Sequence, residues 1–307
     1  MGRGLATFSN REQFDMMRKY FLALIAAAIL APQVGRCAVL QAVGFDCGHV
    51  TTCTIGSGQG WSATTANSTV VFLIAYGGGT ISNATVGANS STTADKNIAG
   101  GGGGNIAIFS VHGIAGGVTS VSVTLSATEW VCVIVAEESG LSTSANLDQA
   151  NATAGAGGQI TWNSGNVTTT QASEVAYGYA YYPASTTQTM TPDAGWSKLS
   201  GTGIDANGGV FETTDGLAIY GVRQVLSSTG TYANSGTAPN GQYTAGIATY
   251  KVASGGSCTH AGQAKDGSIS VPNGSTGSYW GKSGGWVTPD CSTVNYWAPA
   301  LGNFTVN

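Results

Sequence analysis

Between residues 39 and 253, short runs rich in Val, Ile, Ala and Tyr alternate with stretches of Gly, Ser, Thr and Asn. The clearest runs are TVVFLIAY at 69–76, NIAIFSVHGI at 105–114, VTSVSVTLS at 118–126, WVCVIVAEES at 130–139, EVAYGYAYY at 174–182, GLAIYGVRQVL at 216–226 and YTAGIATYKVA at 243–253. Several alternate apolar and polar positions with period two, which marks a half-buried strand because successive side chains point to opposite faces. β-Branched and aromatic residues bounded by turn formers strengthen each assignment. Beyond residue 38 no segment shows the apolar stripe of an amphipathic helix, so a βαβ architecture is excluded. The pattern predicts an all-β chain: an antiparallel two-sheet β-sandwich, jelly-roll-like, with long small-residue loops at 87–104 and 150–158.

The two ends depart from this pattern. Arg18 and Lys19 precede the apolar run FLALIAAAILA, which Pro32 ends, as in a secretory leader. Residues 1–38 are therefore read as a signal peptide, with the true start at Met16 or Met17, and no stable membrane span is expected after its removal; a retained anchor is the alternative. Cys37 follows Arg36 rather than a small residue, which argues against lipidation. After the sandwich at 39–253, the run SGGS opens a segment, 254–307, that is too short to bury a large core and is read as a small disulfide-stapled C-terminal module.

Composition narrows the functional classes. The 307 residues include 47 glycines, and only 8% are charged, against roughly 25% in an average globular protein. Solubility then rests on hydroxyls and amides, as suits an extracellular β-protein. Residues 39–307 hold 6 basic and 13 acidic side chains, a net of −7, with no Lys/Arg cluster, so nucleic acid is excluded as a partner.

Six cysteines in an exported chain meet an oxidising compartment. Cys47 with Cys53 and Cys258 with Cys291 each bracket a loop-rich segment, and both pairs are predicted to be disulfides. Cys132, inside VCVIVA, is predicted to be a buried thiol outside either bridge. No Cys-x-x-Cys occurs, and His49 and His260 each have only one or two cysteines nearby, so no metal site is assigned.

The densest aromatic stretch is YWGKSGGWVTPDCSTVNYW at 279–297. Tyr279, Trp280, Trp286, Tyr296 and Trp297 can form a platform for sugar rings, or fill the module's own core around its bridge. Glycoside hydrolysis needs two carboxylates in one cleft. Glu137 and Glu138 are adjacent on a strand and point to opposite faces, so a partner such as Asp148 or Glu174 would have to come from elsewhere, and the outward one is expected to be solvated at a strand end. Ser110 and His112 share a strand face, a common spacing that suggests an ordinary half-exposed histidine. The run GGGGG at 100–104 does not join a strand to a helix, so it is a loop rather than a phosphate cradle. Calcium is the one cofactor considered, through loop residues Asp46, Asp193, Asp205 and Asp215.

The series VTSVSVTLS, VCVIVAEESG, a Gly/Ala loop with Asp148, SGNVTTTQASEVAYGYAYY, IYGVRQVLSSTGTYANSG and YTAGIATYKVA resembles a poorly characterised β-sandwich domain of bacterial secreted and phage-associated proteins. The resemblance spans residues 65–253, departs from the pattern at Glu138, where an aromatic is expected, and brings no catalytic motif. SVPNGSTGSYW and TVNYWAPALG resemble tails of phage-like proteins. Both imply an extracellular or virion-surface sandwich. The leading expectation is a non-enzymatic structural or adhesion protein, secreted or displayed on a cell or virion surface, partnered by itself or by a surface glycan. The alternatives are a carbohydrate-binding module using the C-terminal aromatics and a secreted glycan-active hydrolase.

Overall fold

The computed structural model describes residues 37–100, 104–144, 146–155, 157–183, 188–212 and 216–253, together with the backbone of five short strands in the tail. Of the segment 1–38 read as a signal peptide, residues 1–36 lie outside the described residues, whereas Cys37 and Ala38 are described and their carbonyls accept from Arg223 and from the Ser139 amide. The strands in chain order are β1 (Val39–Gly56), β2 (Thr69–Tyr76), β3 (Ile81–Val86), β4 (Asn89–Ser91), β5 (Lys96–Ala99), β6 (Asn105–His112), β7 (Ser120–Glu138), β8 (Leu147–Ala154) and β9 (Gln159–Asn163). They continue as β10 (Val167–Thr168), β11 (Glu174–Pro183), β12 (Thr191–Pro192), β13 (Ser197–Lys198), β14 (Gly209–Glu212), β15 (Leu217–Leu226), β16 (Thr231–Tyr232), β17 (Ser235–Gly241) and β18 (Thr244–Lys251). Among the described residues a single 3-10 turn at Ser57–Gln59 interrupts them, and no helix is long and apolar enough to cross a membrane.

Two antiparallel sheets face each other. The first has the order β4-β3-β7-β2-β6-β5, with β1 also on β7; the second runs β13-β15-β11-β18-β8, with β14 also on β15. Each sheet comes from one continuous half of the chain. Between them lies a core in which Val71, Leu73 and Ile134 meet Tyr177, Tyr179, Ile219 and Tyr250. The alternate residues of the first sheet, among them Val70, Phe72, Ile74, Val133 and Val135, are not solvated: they pack in a second core with Ile55, Trp61, Val121 and Val123. This is possible because β1 and β7, 18 and 19 residues long, bend and fold their far halves back over the sheet. Every residue of β2 is thereby buried, which accounts for its unbroken apolar run.

The bend is built locally. The pairing of β1 with β7 slips between Asp46 and Gly48 and again between Val50 and Thr52, where four residues of β7 bulge out. Gly48 takes φ +65°, a left-handed conformation that glycine adopts without strain, and its amide donates to Asp46 Oδ1 at 2.9 Å. The predicted Cys47–Cys53 disulfide closes this corner, with Cα atoms 5.5 Å apart. VTSVSVTLS and WVCVIVAEES are thus two arms of one bent strand.

The second sheet is covered on its outer face too. A small β12-β17-β9 sheet and the β10–β16 pair cover it: Trp162 of β9 packs with Met190, Tyr220 and Tyr243, and Val167 of β10 with Trp196 and with Val222 and Leu226 of the sheet itself. Residues 89–91, 96–99 and 147–154 form β4, β5 and β8, so much of both expected loops is strand; Ala, Ser and Asn there carry little intrinsic β signal, and pairing with a neighbouring strand decides their conformation. Glycine has a second use in this interior. A methyl group on Gly246 would sit 2.5 Å from the Tyr179 ring, and one on Gly209 2.6 Å from that of Tyr220. The missing side chains are the slots that the large rings fill.

Candidate functional site

The predicted carboxylates do not share a cleft. Glu137 and Glu138 point to opposite faces, as their adjacency requires, yet both are buried, which corrects the expectation that one is solvated. Glu137 accepts from Gln41 Nε2 and from the Thr65 amide, each at 2.6 Å, and so ties residues 62–65 to the sheet. Glu138 faces the inter-sheet core. It accepts Arg223 Nη2 at 2.6 Å, Arg223 Nε at 2.8 Å and the Tyr177 hydroxyl at 2.6 Å, which places a two-pronged ion pair across the sandwich. Arg223 also donates to the Cys37 carbonyl at 3.1 Å, and burial pushes the half-buried Cys37 thiol up to about 11.

Asp148 and Glu174 come together with each other rather than with the Glu137–Glu138 strand end. Pairing of β11 with β18 sets Glu174 opposite Lys251, and the register slip between β8 and β18 leaves Asp148 beside them. Burial pushes Asp148 up, but Thr170, through its amide at 2.7 Å and its hydroxyl, and Lys251 at 3.2 Å outweigh this and hold it below its ordinary range. Glu174 is pushed up to about 7, first by burial and then by the adjacent Asp148 carboxylate. Such divergence resembles an acid–base pair. Glu174, however, is fully buried, and no cavity described here opens on it.

Ser110 and His112 do share a face, and the fold adds a carboxylate that sequence spacing could not foresee. Asp95 accepts from Tyr250 at 2.7 Å and interacts with Ser110 and His112; burial pushes it up. Ser110 is 5% exposed, and its hydroxyl serves that carboxylate rather than an incoming substrate. Cys132 is a buried thiol that donates to the Leu217 carbonyl at 3.6 Å.

Of the calcium candidates, Asp46 and Asp205 line one cleft of about 290 Å³. Each uses an oxygen to cap its own turn, on Gly48 and on Asn207 and Gly209 respectively. Two carboxylates are a minority of the six to eight oxygens that calcium takes. Asp193 instead accepts the Ser235 hydroxyl elsewhere, and Asp215 is outside the described residues. Among those residues no group of three or more His, Cys, Asp or Glu assembles.

For the tail, the backbone at Tyr279–Trp280 pairs with Trp286–Val287, with Trp280 opposite Trp286. The side chains of these aromatics, with Tyr296, Trp297, Cys258 and Cys291, lie outside what the structure describes.

The most site-like concavity is a groove of about 240 Å³ between β8 and β9. These strands follow one another in the chain but are edge strands of different sheets, so a gap opens between them. Trp162 and Tyr243, 4% and 2% exposed, lie buried beneath it, and the exposed Thr153, Gln159, Thr161 and Asn163 form its rim. Asn234, fully buried, holds Trp162 in place: its Oδ1 accepts Trp162 Nε1 at 3.1 Å, and its Nδ2 donates to the carbonyls of Tyr179 and Gly246. Tyr243 stacks on Tyr182 with ring centroids 5.1 Å apart. Sequence reading missed this groove because Trp162, Asn234 and Tyr243 lie far apart along the chain. The chain matches no family model, no curated protein and no solved structure.

Proposed function

We propose that this chain is a non-enzymatic, exported β-sandwich that acts as a structural or adhesive component of a cell or virion surface. The observation that carries the reading is where its charges sit. Glu137, Glu138 and Asp148 serve contacts inside the fold, Glu174 is buried with no cavity opening on it, and the β8–β9 groove is lined by uncharged groups alone. A hydrolase needs two carboxylates at an open cleft; none of these four lies at one, and Asp46 and Asp205, which do line one cleft, each use an oxygen to cap their own turn. The sparse charge and the resemblance to secreted and phage-associated sandwich domains favour a surface setting. Carbohydrate binding through the aromatics of residues 279–297 is the second reading, carried by their density there.

The test is retention of the purified chain on immobilised bacterial surface polysaccharide, with new reducing ends measured in the same sample. Retention without cleavage is expected. New reducing ends that vanish in Glu174→Gln would overturn the reading in favour of the hydrolase.

A further inference from the structure

We propose that Lys251 and Asp148 are the two ends of an intramolecular isopeptide bond, which the chain forms on itself with Glu174 as the proton carrier. The three residues lie on three neighbouring strands. Glu174 of β11 stands directly opposite Lys251 of β18, so both side chains leave the same face of the sheet. The register slip between β18 and β8 leaves Asp148 without a Cα partner, and Lys251 Nζ is 3.2 Å from its Oδ1. The pair is built unlike an ordinary surface ion pair. The Asp148 side chain is 2% exposed, and Thr170 donates to both of its oxygens, through its amide to Oδ2 at 2.7 Å and through its hydroxyl to Oδ1. Glu174 is fully buried, neither of its carboxyl oxygens has a well-formed hydrogen bond, and Asp148 is among the groups that act on it. With no cavity described here opening on it, this acid can serve only groups that the fold has already placed beside it.

The bond needs no reagent beyond these side chains. Glu174, pushed up to about 7 by burial and then by Asp148, keeps its proton up to neutral pH. Transfer of one proton from the Lys251 ammonium to the Asp148 carboxylate leaves an amine and a neutral acid, which water-poor surroundings tolerate better than two charges. The amine lone pair then attacks Asp148 Cγ and forms the N–C bond. Glu174 protonates the oxygen that becomes negative, takes a proton from the nitrogen and passes it to one hydroxyl, whose oxygen leaves as water when its bond to Cγ breaks. The proton of the remaining hydroxyl returns to Glu174 as the C=O bond re-forms, so the chain loses one water and Glu174 ends as it began. Thr170 steadies the negative charge as it develops. Groups held in contact react as though at about 10⁵–10⁸ M, which lets a condensation proceed in water. The Lys251 side chain, 33% exposed, leaves the released water a path out. Lys251 ends β18 and Asp148 lies on the edge strand β8, so the bond clamps the last residue of β18 to the sheet. The inference stands apart from the surface reading.

The experiment is intact mass and peptide mapping of the full chain, reduced and denatured after incubation near neutral pH. The chain is expected to be lighter by one water than Lys251→Arg corrected for the substitution, with the peptide that holds Asp148 joined to the one that holds Lys251 and tryptic cleavage after Lys251 blocked. Lys251→Arg keeps the positive charge, Glu174→Gln removes the proton carrier, and both are expected at full mass; unchanged far-UV circular dichroism certifies their folding. Asp148→Asn offers an amide in place of the acid and is expected to lose ammonia instead of water, a signature that an ion pair alone does not give. Lys251→Arg also supplies the open chain in which the pH response of Glu174 is read, because the bond removes the Asp148 charge. A wild-type chain of full mass, a water loss that persists in Lys251→Arg, or a bond that joins other residues overturns the assignment. A bond formed equally fast in Glu174→Gln overturns the part given to Glu174.

Discussion

Replacing Arg223 by methionine tests how the two sheets are locked. Arg223 and Glu138 meet through two bonds of 2.6 and 2.8 Å, and their side chains are 16% and 0% exposed. With Arg223 gone, Glu138 keeps only the Tyr177 hydroxyl among the donors described here, while its charge stays inside an apolar core. Removing one member of such a pair costs about 3–5 kcal/mol. For a domain of this size that is a fall in Tm on the order of 10 °C. Arg223→Met and Glu138→Leu together remove both charges and leave the Tyr177 hydroxyl and the Cys37 carbonyl without those partners, a cost of about 1–3 kcal/mol for a buried polar group left unpaired. The double variant should therefore be more stable than either single one. Urea denaturation at pH 7, in low and high salt, measures all four proteins; desolvation predicts little salt dependence. A loss below about 1 kcal/mol for Arg223→Met, or one abolished by salt, would show the pair to be solvated and refute the reasoning.

Three further outcomes follow from the same interior. Because the folded state raises Glu174 from its ordinary 4.5 to about 7, the native chain binds the extra proton between those values, so stability falls as pH rises through that window and is level above it. Asp95, also raised, adds to the slope. Glu174→Gln should flatten it and gain on the order of 1–2 kcal/mol above pH 7, as read by denaturation across pH 4–8; an unaltered slope would sink the assignment. Cys53→Ser opens the staple at the bend of β1 and should cost about 2 kcal/mol by thermal melting, with wild type falling to the same value in reductant. Gly246→Ala drives a methyl group into the buried Tyr179 ring and should lose about 1–3 kcal/mol, whereas Gly58→Ala, with open space around it, should change little.

The hydrophobic pattern was enough to place most of the long strands and the Cys47–Cys53 bridge, because strand alternation and a short closed loop are local properties. It misassigned β4, β5 and β8, whose Ala, Ser and Asn residues become strands only through their neighbours. It could not distinguish β2 as doubly buried, since that depends on β1 and β7 bending back over the sheet. The site shows the same division. Glu137, Glu138, Asp148 and Glu174 were visible as acids, but their partners Gln41, Arg223 and Lys251 come from other strands, and those partners turn candidate chemistry into support of the fold. The β8–β9 groove exists only because two consecutive strands join different sheets. Sequence by itself determined that this chain would be β-sheet, glycine-rich and poor in charge, since those follow from side-chain periodicity and composition. Tertiary structure alone decided which acids lie buried and where an open surface remains, because burial depends on contacts between residues distant along the chain.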